Sequence, residues 1–176
     1  TVTPTHTTTP TATTPTAVPS PTKQLYDDYE IDDFDPKPIS LGQTQRRNFN
    51  PIYDVDTAIF LGKAGRRYCV LAVPQNYGVD TFLEATVGDA HYANDDCRPD
   101  DQTLLSCRCP SAEGFGGLAS LLEVQIPLPT DQQVRLRISN RDQYGPDQWY
   151  ILQVIETAGD AWERDDLVPK PIGVGE

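Results

Sequence analysis

Apolar and polar residues alternate in short runs through the middle of this chain, and Gly, Pro and Asp separate the runs. That is the period of a β-strand with one buried face, repeated between turns. The run 134–139 is the clearest case: Val134, Leu136 and Ile138 fall on one face, Arg135 and Arg137 on the other. The same pattern predicts strands over 43–50, 55–61, 67–73, 81–87, 91–93, 121–126 and 149–155. Turn residues close several of them: Gly62-Lys63-Ala64-Gly65, Pro74, Gly88-Asp89, and Pro127 with Pro129. In the last strand Trp149 alternates with Ile151, which assigns Trp149 to the core and leaves Tyr144 to cap a loop. The alternative is that Tyr77, Tyr144, Trp149 and Tyr150 line a face for carbohydrate or protein. No stretch carries the period of a long amphipathic helix. The expected fold is all-β, a β-sandwich of about 130 residues, enough for one core.

The N-terminal segment breaks the pattern. Residues 1–22 hold eleven Thr and five Pro and no Lys, Arg, Asp or Glu. Such a tract buries too little surface to offset its ordering entropy, so an extended stalk or linker is expected over 1–26. Thr/Pro stalks outside the cell are commonly O-glycosylated, which makes Thr5, Thr7, Thr8, Thr9, Thr11, Thr13, Thr14 and Thr16 candidate acceptors. A first residue of Thr rather than Met points to processing or to a piece of a longer protein.

The chain also repeats itself. Residues 30–42 read EIDDFDPKPISLG and residues 163–175 read ERDDLVPKPIGVG, identical at eight of thirteen positions at an offset of 133. Asp27 and Asp160 keep the same register, and Tyr29 is matched by Trp162. This predicts a tandem array: one complete module over 27–157, then residues 158–176 as a linker and the start of a second repeat. If the second copy stands alone it is an assembly strand, able to complete a neighbouring molecule's sheet.

Charge narrows the function classes. There are 14 Lys and Arg against 26 Asp and Glu, a net −12. That excludes a nucleic-acid binder and a surface that sits on anionic lipid. No apolar run approaches the ~20 residues of a membrane span. Catalysis is also not expected. The two histidines are His6 in the stalk and His91 in a short strand, without a nucleophile setting such as G-x-S-x-G. No phosphate-binding glycine motif occurs, and Gly114-Phe115-Gly116-Gly117 reads as a loop.

Two groups of residues carry candidate chemistry. Six acids crowd nine residues: Asp27, Asp28, Glu30, Asp32, Asp33 and Asp35. Alternation puts Asp28, Glu30 and Asp32 on one face of an extended segment. If that face meets Asp54 and Asp56, the cluster suits Ca²⁺, which takes 6–8 oxygens. The candidate ligands are Asp28, Glu30, Asp32, Asp33, Asp54 and Asp56; the alternative is a solvated acidic edge that blocks strand pairing. Asn94-Asp95-Asp96 and Asp80 read as turn and strand-entry residues. The four cysteines, Cys69, Cys97, Cys107 and Cys109, are even in number and lack the spacing of a zinc site, so two disulfides are expected. Cys97 would pair with Cys107 or Cys109 and Cys69 with the other, although three connectivities are open.

The order of several short motifs resembles the bacterial pre-peptidase C-terminal domain, a collagen-binding-like module. The residues are Asp28-x-Glu30-x-Asp32-Asp33, Asp54-Val55-Asp56 leading to Phe60, Lys63-Ala64-Gly65 before Tyr68, Asp80-Thr81-x-Leu83, and Asn94-Asp95-Asp96, over roughly 27–157. Ile31 stands where that family usually has Pro, and 97–118 looks like an insertion. The resemblance implies a jelly-roll-like sandwich that is secreted or at the bacterial cell surface, non-catalytic, and calcium-binding through the acidic entry and the Asp54-x-Asp56 region. The expected role is structural or adhesive, with like repeats or identical subunits as partners and a head-to-tail filament as its specific form. The alternative is an accessory module that binds polysaccharide or matrix protein for a secreted enzyme.

Overall fold

The computed structural model describes residues 25–97 and 118–157. The Thr-rich stalk with its candidate acceptors, Cys107, Cys109 and the second repeat copy lie outside the described residues. The described chain is all-β and forms a sandwich of two sheets. Its strands are β1 (Lys37–Pro38), β2 (Thr44–Asn48), β3 (Val55–Gly62), β4 (Arg67–Pro74), β5 (Thr81–Val87), β6 (Ala90–Asn94), β7 (Ser120–Gln125), β8 (Gln132–Asn140) and β9 (Trp149–Glu156). One sheet has the order β1-β3-β8-β5-β6, the other β2-β9-β4-β7. The two-residue β1 is the strand that periodicity does not predict. It joins β3 in parallel, Lys37 opposite Ala58 and Pro38 opposite Ile59, at the edge of its sheet. Proline is tolerated there because an edge strand leaves one side of its backbone unpaired.

Alternation explains the core. Val134, Leu136 and Ile138 of β8 are fully buried, as are Leu83 and Ala85 of β5 and Val70 and Ala72 of β4. These inner-face residues form one cluster between the sheets, with Tyr68 edge-on to Phe60 and Phe49 stacked 4.6 Å from Tyr150. Gly62 ends β3 where no larger residue fits, since a Cβ there would fall 2.5 Å from the Ile126 side chain. A second, smaller cluster joins Cys69, Leu71 and Leu121 to Cys97 and Ala119, so β4 is buried on both faces.

The last strand corrects one expectation. The inward residues of β9 are Tyr150, Leu152 and Val154; Trp149 alternates with them and is absent from the main core. Trp149 is buried instead beneath Arg46, whose guanidinium lies 3.8 Å from the ring centroid. Both faces of β9 are apolar, so period 2 alone does not choose between them. Tyr144 does close a loop, donating its hydroxyl to the Asn140 carbonyl at 2.6 Å.

Candidate functional site

The entry segment, residues 25–36, does not run as a regular strand. It bends and turns repeatedly before β1. The strict alternation expected for Asp28, Glu30 and Asp32 therefore does not apply. Asp32 turns inward and is fully buried, while Asp28 and Asp33 face solvent. Asp54 and Asp56 approach from the start of β3 and are 3% and 1% exposed. Asp27 joins them from the first turn of the entry, 7% exposed. Carboxylate oxygens of Asp27, Glu30 and Asp56 lie within 4.8 Å of one another. Four of the six expected ligands thus meet in one place, and Asp27 takes the position assigned to Asp28.

The cluster is built around a buried cation. Arg47, on β2, is fully buried and pairs with the Asp32 carboxylate. It also lies 3.5 Å from Asp56 Oδ1. Gln45 Oε1 accepts from Arg47 Nε at 3.1 Å and from Nη2 at 2.8 Å. The Tyr29 ring lies against the same guanidinium, 4.6 Å from centroid to Cζ. Asp32 is held further by the Thr57 backbone N–H at 3.0 Å and by the Thr57 hydroxyl, which donates to its carbonyl. Asp27 accepts from the Tyr29 and Asn48 N–H groups, both at 2.7 Å. Tyr150, fully buried, donates its hydroxyl to Asp56 Oδ2 at 2.8 Å.

These contacts leave oxygens over. Glu30 Oε1, Asp32 Oδ1, Asp54 Oδ2 and Asp56 Oδ1 are buried and accept no hydrogen bond. Five carboxylates gather here with one guanidinium, which pairs with Asp32 and Asp56, so negative charge is in excess at a largely buried site. Burial is the main reason that these groups hold their protons, and carboxylate repulsion adds to it. Glu30 is pushed up to about 8, with repulsion from Asp54 and Asp27 behind burial. Asp54 rises to about 7 beside Asp33 and Asp32. Asp32 rises to about 6, because burial outweighs the attraction of Arg47. Asp56 is raised well above the usual carboxylate range by burial, against the pull of Arg47.

The donor set is all oxygen and mostly carboxylate, which fits a hard divalent cation. Calcium accepts irregular geometry and both mono- and bidentate carboxylates, whereas zinc prefers nitrogen and sulfur ligands. The buried oxygens without donors are the positions that a cation would satisfy. Sequence reasoning missed Arg47 and Tyr150. Arg47 sits in a strand that reads as wholly polar, and nothing local separates it from the exposed Arg46.

A second acidic group gathers at Asp80, Asp95 and Asp96. The Asp80 carboxyl is raised by burial and by repulsion from Asp96 and Asp95. Here the counter-charge is a surface one, Arg141 Nε at 2.7 Å from Asp95 Oδ1. Asn94 is structural as well as local, its Oδ1 accepting from the Leu121 N–H at 3.1 Å. Neither described cysteine, Cys69 or Cys97, is a free thiol.

Comparison with known proteins adds little. No family model and no curated protein matches the chain. Among solved structures, the secreted serine protease VesC from Vibrio cholerae aligns at a TM-score of 0.42 and 12% identity, over 68% of this chain and 22% of that one.

Proposed function

We propose that residues 27–157 are a non-catalytic structural module that binds calcium at its entry, in a bacterial surface or secreted protein built from like modules. One observation carries the reading. A buried carboxylate cluster ties the entry segment to β2, β3 and β9, with oxygens left over for a cation. A cation there would fix how the preceding chain enters the sandwich. The ligands would be Asp27, Glu30 and Asp56, with Asp32 and Asp54 adjoining. Calcium would supply charge neutralisation and a rigid link, not reaction chemistry. The tandem repeat supports a series of such modules, whose head-to-tail filament is the extreme form. The Thr/Pro composition supports a glycosylated stalk, and the cysteine count supports disulfides that staple the 97–118 loop to β4, both suited to an oxidising, extracellular setting.

The test is calorimetric titration of the full chain with CaCl₂ after EDTA treatment, beside Glu30→Gln. Saturable 1:1 binding that Glu30→Gln weakens at least about tenfold, roughly 1.4 kcal/mol, is expected. No heat and no change in melting temperature with calcium would sink the metal reading. The alternative, a module that binds polysaccharide or matrix protein, draws on the exposed apolar residues Ile31, Phe34, Ile52 and Tyr53, which adjoin the acidic residues in the chain. It would be favoured if calcium-loaded protein were retained on glycan or collagen supports and Phe34→Ser with Tyr53→Ser were not.

A further inference from the structure

The second repeat copy, 163–175, repeats the entry segment of the sandwich described above. What that parent copy does suggests a partner for it. Residues 30–42 are the segment that seals the sandwich edge. Asp32 is the buried anchor on Arg47 and the Thr57 N–H. β1 follows as a parallel edge strand, with the Gln45 amide donating to the Pro38 carbonyl at 2.9 Å. Ile39 then donates its N–H to the Ile59 carbonyl at 2.9 Å and buries its side chain in the core, 3% exposed. Gly42 turns the chain at φ 76°, where glycine is strongly preferred, and donates to the Val154 carbonyl at 2.8 Å.

The differences between the copies follow this map. All five substitutions, at Ile31, Phe34, Asp35, Ser40 and Leu41, fall on exposed residues. Both buried positions are retained, as Asp165 and Ile172, and so are the cluster acid as Glu163 and the turn glycine as Gly175. A tail that resembled the entry only in composition would have no reason to vary at the surface alone. We infer that residues 163–175 are a docking segment for the slot that residues 30–42 fill, and that they occupy it in a second copy of this sandwich.

Chain length favours a second copy over the segment's own sandwich. The slot begins at Glu30, whose carboxylate lies within 4.8 Å of that of Asp27, itself bound at Asn48 opposite Trp149, and it ends beside Val154. To enter its own slot in the same direction, the chain would have to retrace β9, about 26 Å at 3.3 Å per residue. The six steps from Thr157 to Glu163 reach at most about 21 Å. The resident segment must also leave the slot first, and within one chain it is favoured by high local concentration. The docked form therefore dominates where the resident segment is weakened or removed. This inference rests on the reading of the chain as one of a series of like modules.

The experiment uses the full chain in four forms: unaltered, Asp32→Ala with Ile39→Asp, Asp165→Ala with Ile172→Asp, and all four changes. Light scattering after size exclusion and thermal melting are read across a concentration series. The variant with only its resident segment disabled should associate, its mass rising roughly twofold or more as concentration rises. Its melting temperature should recover over the same range. The fourfold variant should remain monomeric with no recovery, and a peptide of residues 158–176 should restore its melting temperature. A second measurement keeps the idea testable if the disabled variants do not fold: the unaltered chain is refolded in excess fluorescent 158–176 peptide. Incorporation at least about fivefold above the Asp165→Ala, Ile172→Asp peptide is expected. Equal or no incorporation, or association that survives the changes at Asp165 and Ile172, overturns the inference. Calcium binding is read separately on the unaltered chain. Docking without a calcium response would remove the metal reading alone, and a calcium response without docking would remove this inference alone.

Discussion

Two groups of acidic residues stand out among the described residues, and their charge is managed differently. At the entry, Asp32, Asp54 and Asp56 are nearly sealed from solvent, and the one counter-ion, Arg47, is sealed with them. At the far loops, Asp95 keeps 43% of its side chain exposed and Arg141 keeps 50%. Both groups leave buried oxygens without donors, Asp80 Oδ1 among them in the second. The first has its carboxyls raised to about 6 to 8, whereas the second is only half-buried and lies beside a surface arginine. Acid count therefore does not make a cation site. What matters is whether burial removes the water that would otherwise satisfy the charge.

Removing each arginine tests that contrast most severely. Arg47→Met would leave Asp32 and Asp56 buried without their cation and Gln45 Oε1 without its donors. Breaking a buried pair from one side costs about 3–5 kcal/mol, so equilibrium urea unfolding of Arg47→Met should show a loss of that order. A loss under about 1 kcal/mol would mean that the cluster is far wetter than its burial indicates.

Calcium should separate the two groups next. A ligand that binds only the folded state adds about 2.7 kcal/mol at a hundred times its dissociation constant. Melting in excess calcium should rise by several degrees over melting in EDTA, roughly 5–10 °C for a domain of this size. Glu30→Gln should remove most of that rise and Asp80→Asn almost none. Equal effects of the two changes would erase the distinction drawn between the sites.

Proton occupancy gives a smaller effect whose sign is fixed. Glu30 and Asp54 hold protons in the folded state up to about 8 and 7, whereas the unfolded groups release them near 4. Between those values the folded state binds more protons, so metal-free stability is highest below about pH 4–5 for these groups and falls as pH rises to about 8. Calcium competes with the same protons, so its benefit should be large at pH 8 and small at pH 5. Melting in EDTA at both values, then with calcium, checks this. A metal-free protein that gains stability from pH 5 to pH 8 would contradict the raised carboxyls.

Much of the scaffold was legible beforehand because it depends on period 2. Eight strands fall where alternation and turn residues put them, and β8 buries the face that its arginines leave free. What alternation does not encode was missed. β1 is a strand because β3 offers an unpaired edge, not because Lys37-Pro38 favours extension. β9 is apolar on both faces, so Trp149 and Tyr150 differ only in which sheet surface they meet. At the site, acid density pointed to the right region. It did not distinguish Asp27 from Asp28, because turns rather than a regular strand aim those side chains. Arg47 was invisible for the opposite reason: a charged residue reads as solvent-facing until the acids that pair with it are assembled from two other segments.

The smallest expected effect closes the contrast from its other side. Arg141 stacks on Phe82, 4.3 Å from the ring centroid, and pairs with Asp95, both side chains being about half exposed. An exposed pair is worth about 0–1 kcal/mol because solvent and salt screen it and two side chains must be ordered to make it. Arg141→Met keeps much of the apolar contact with Phe82 and removes only the charge. Urea unfolding should therefore register less than about 1 kcal/mol, and the difference from unaltered protein should shrink further in 1 M salt. The Arg47→Met loss should hardly depend on salt, since the ions that screen Arg141 cannot reach a buried guanidinium. If the two arginines instead lost stability equally and with the same salt dependence, their chemical surroundings would be equivalent, and the entry cluster would be another solvated acidic edge.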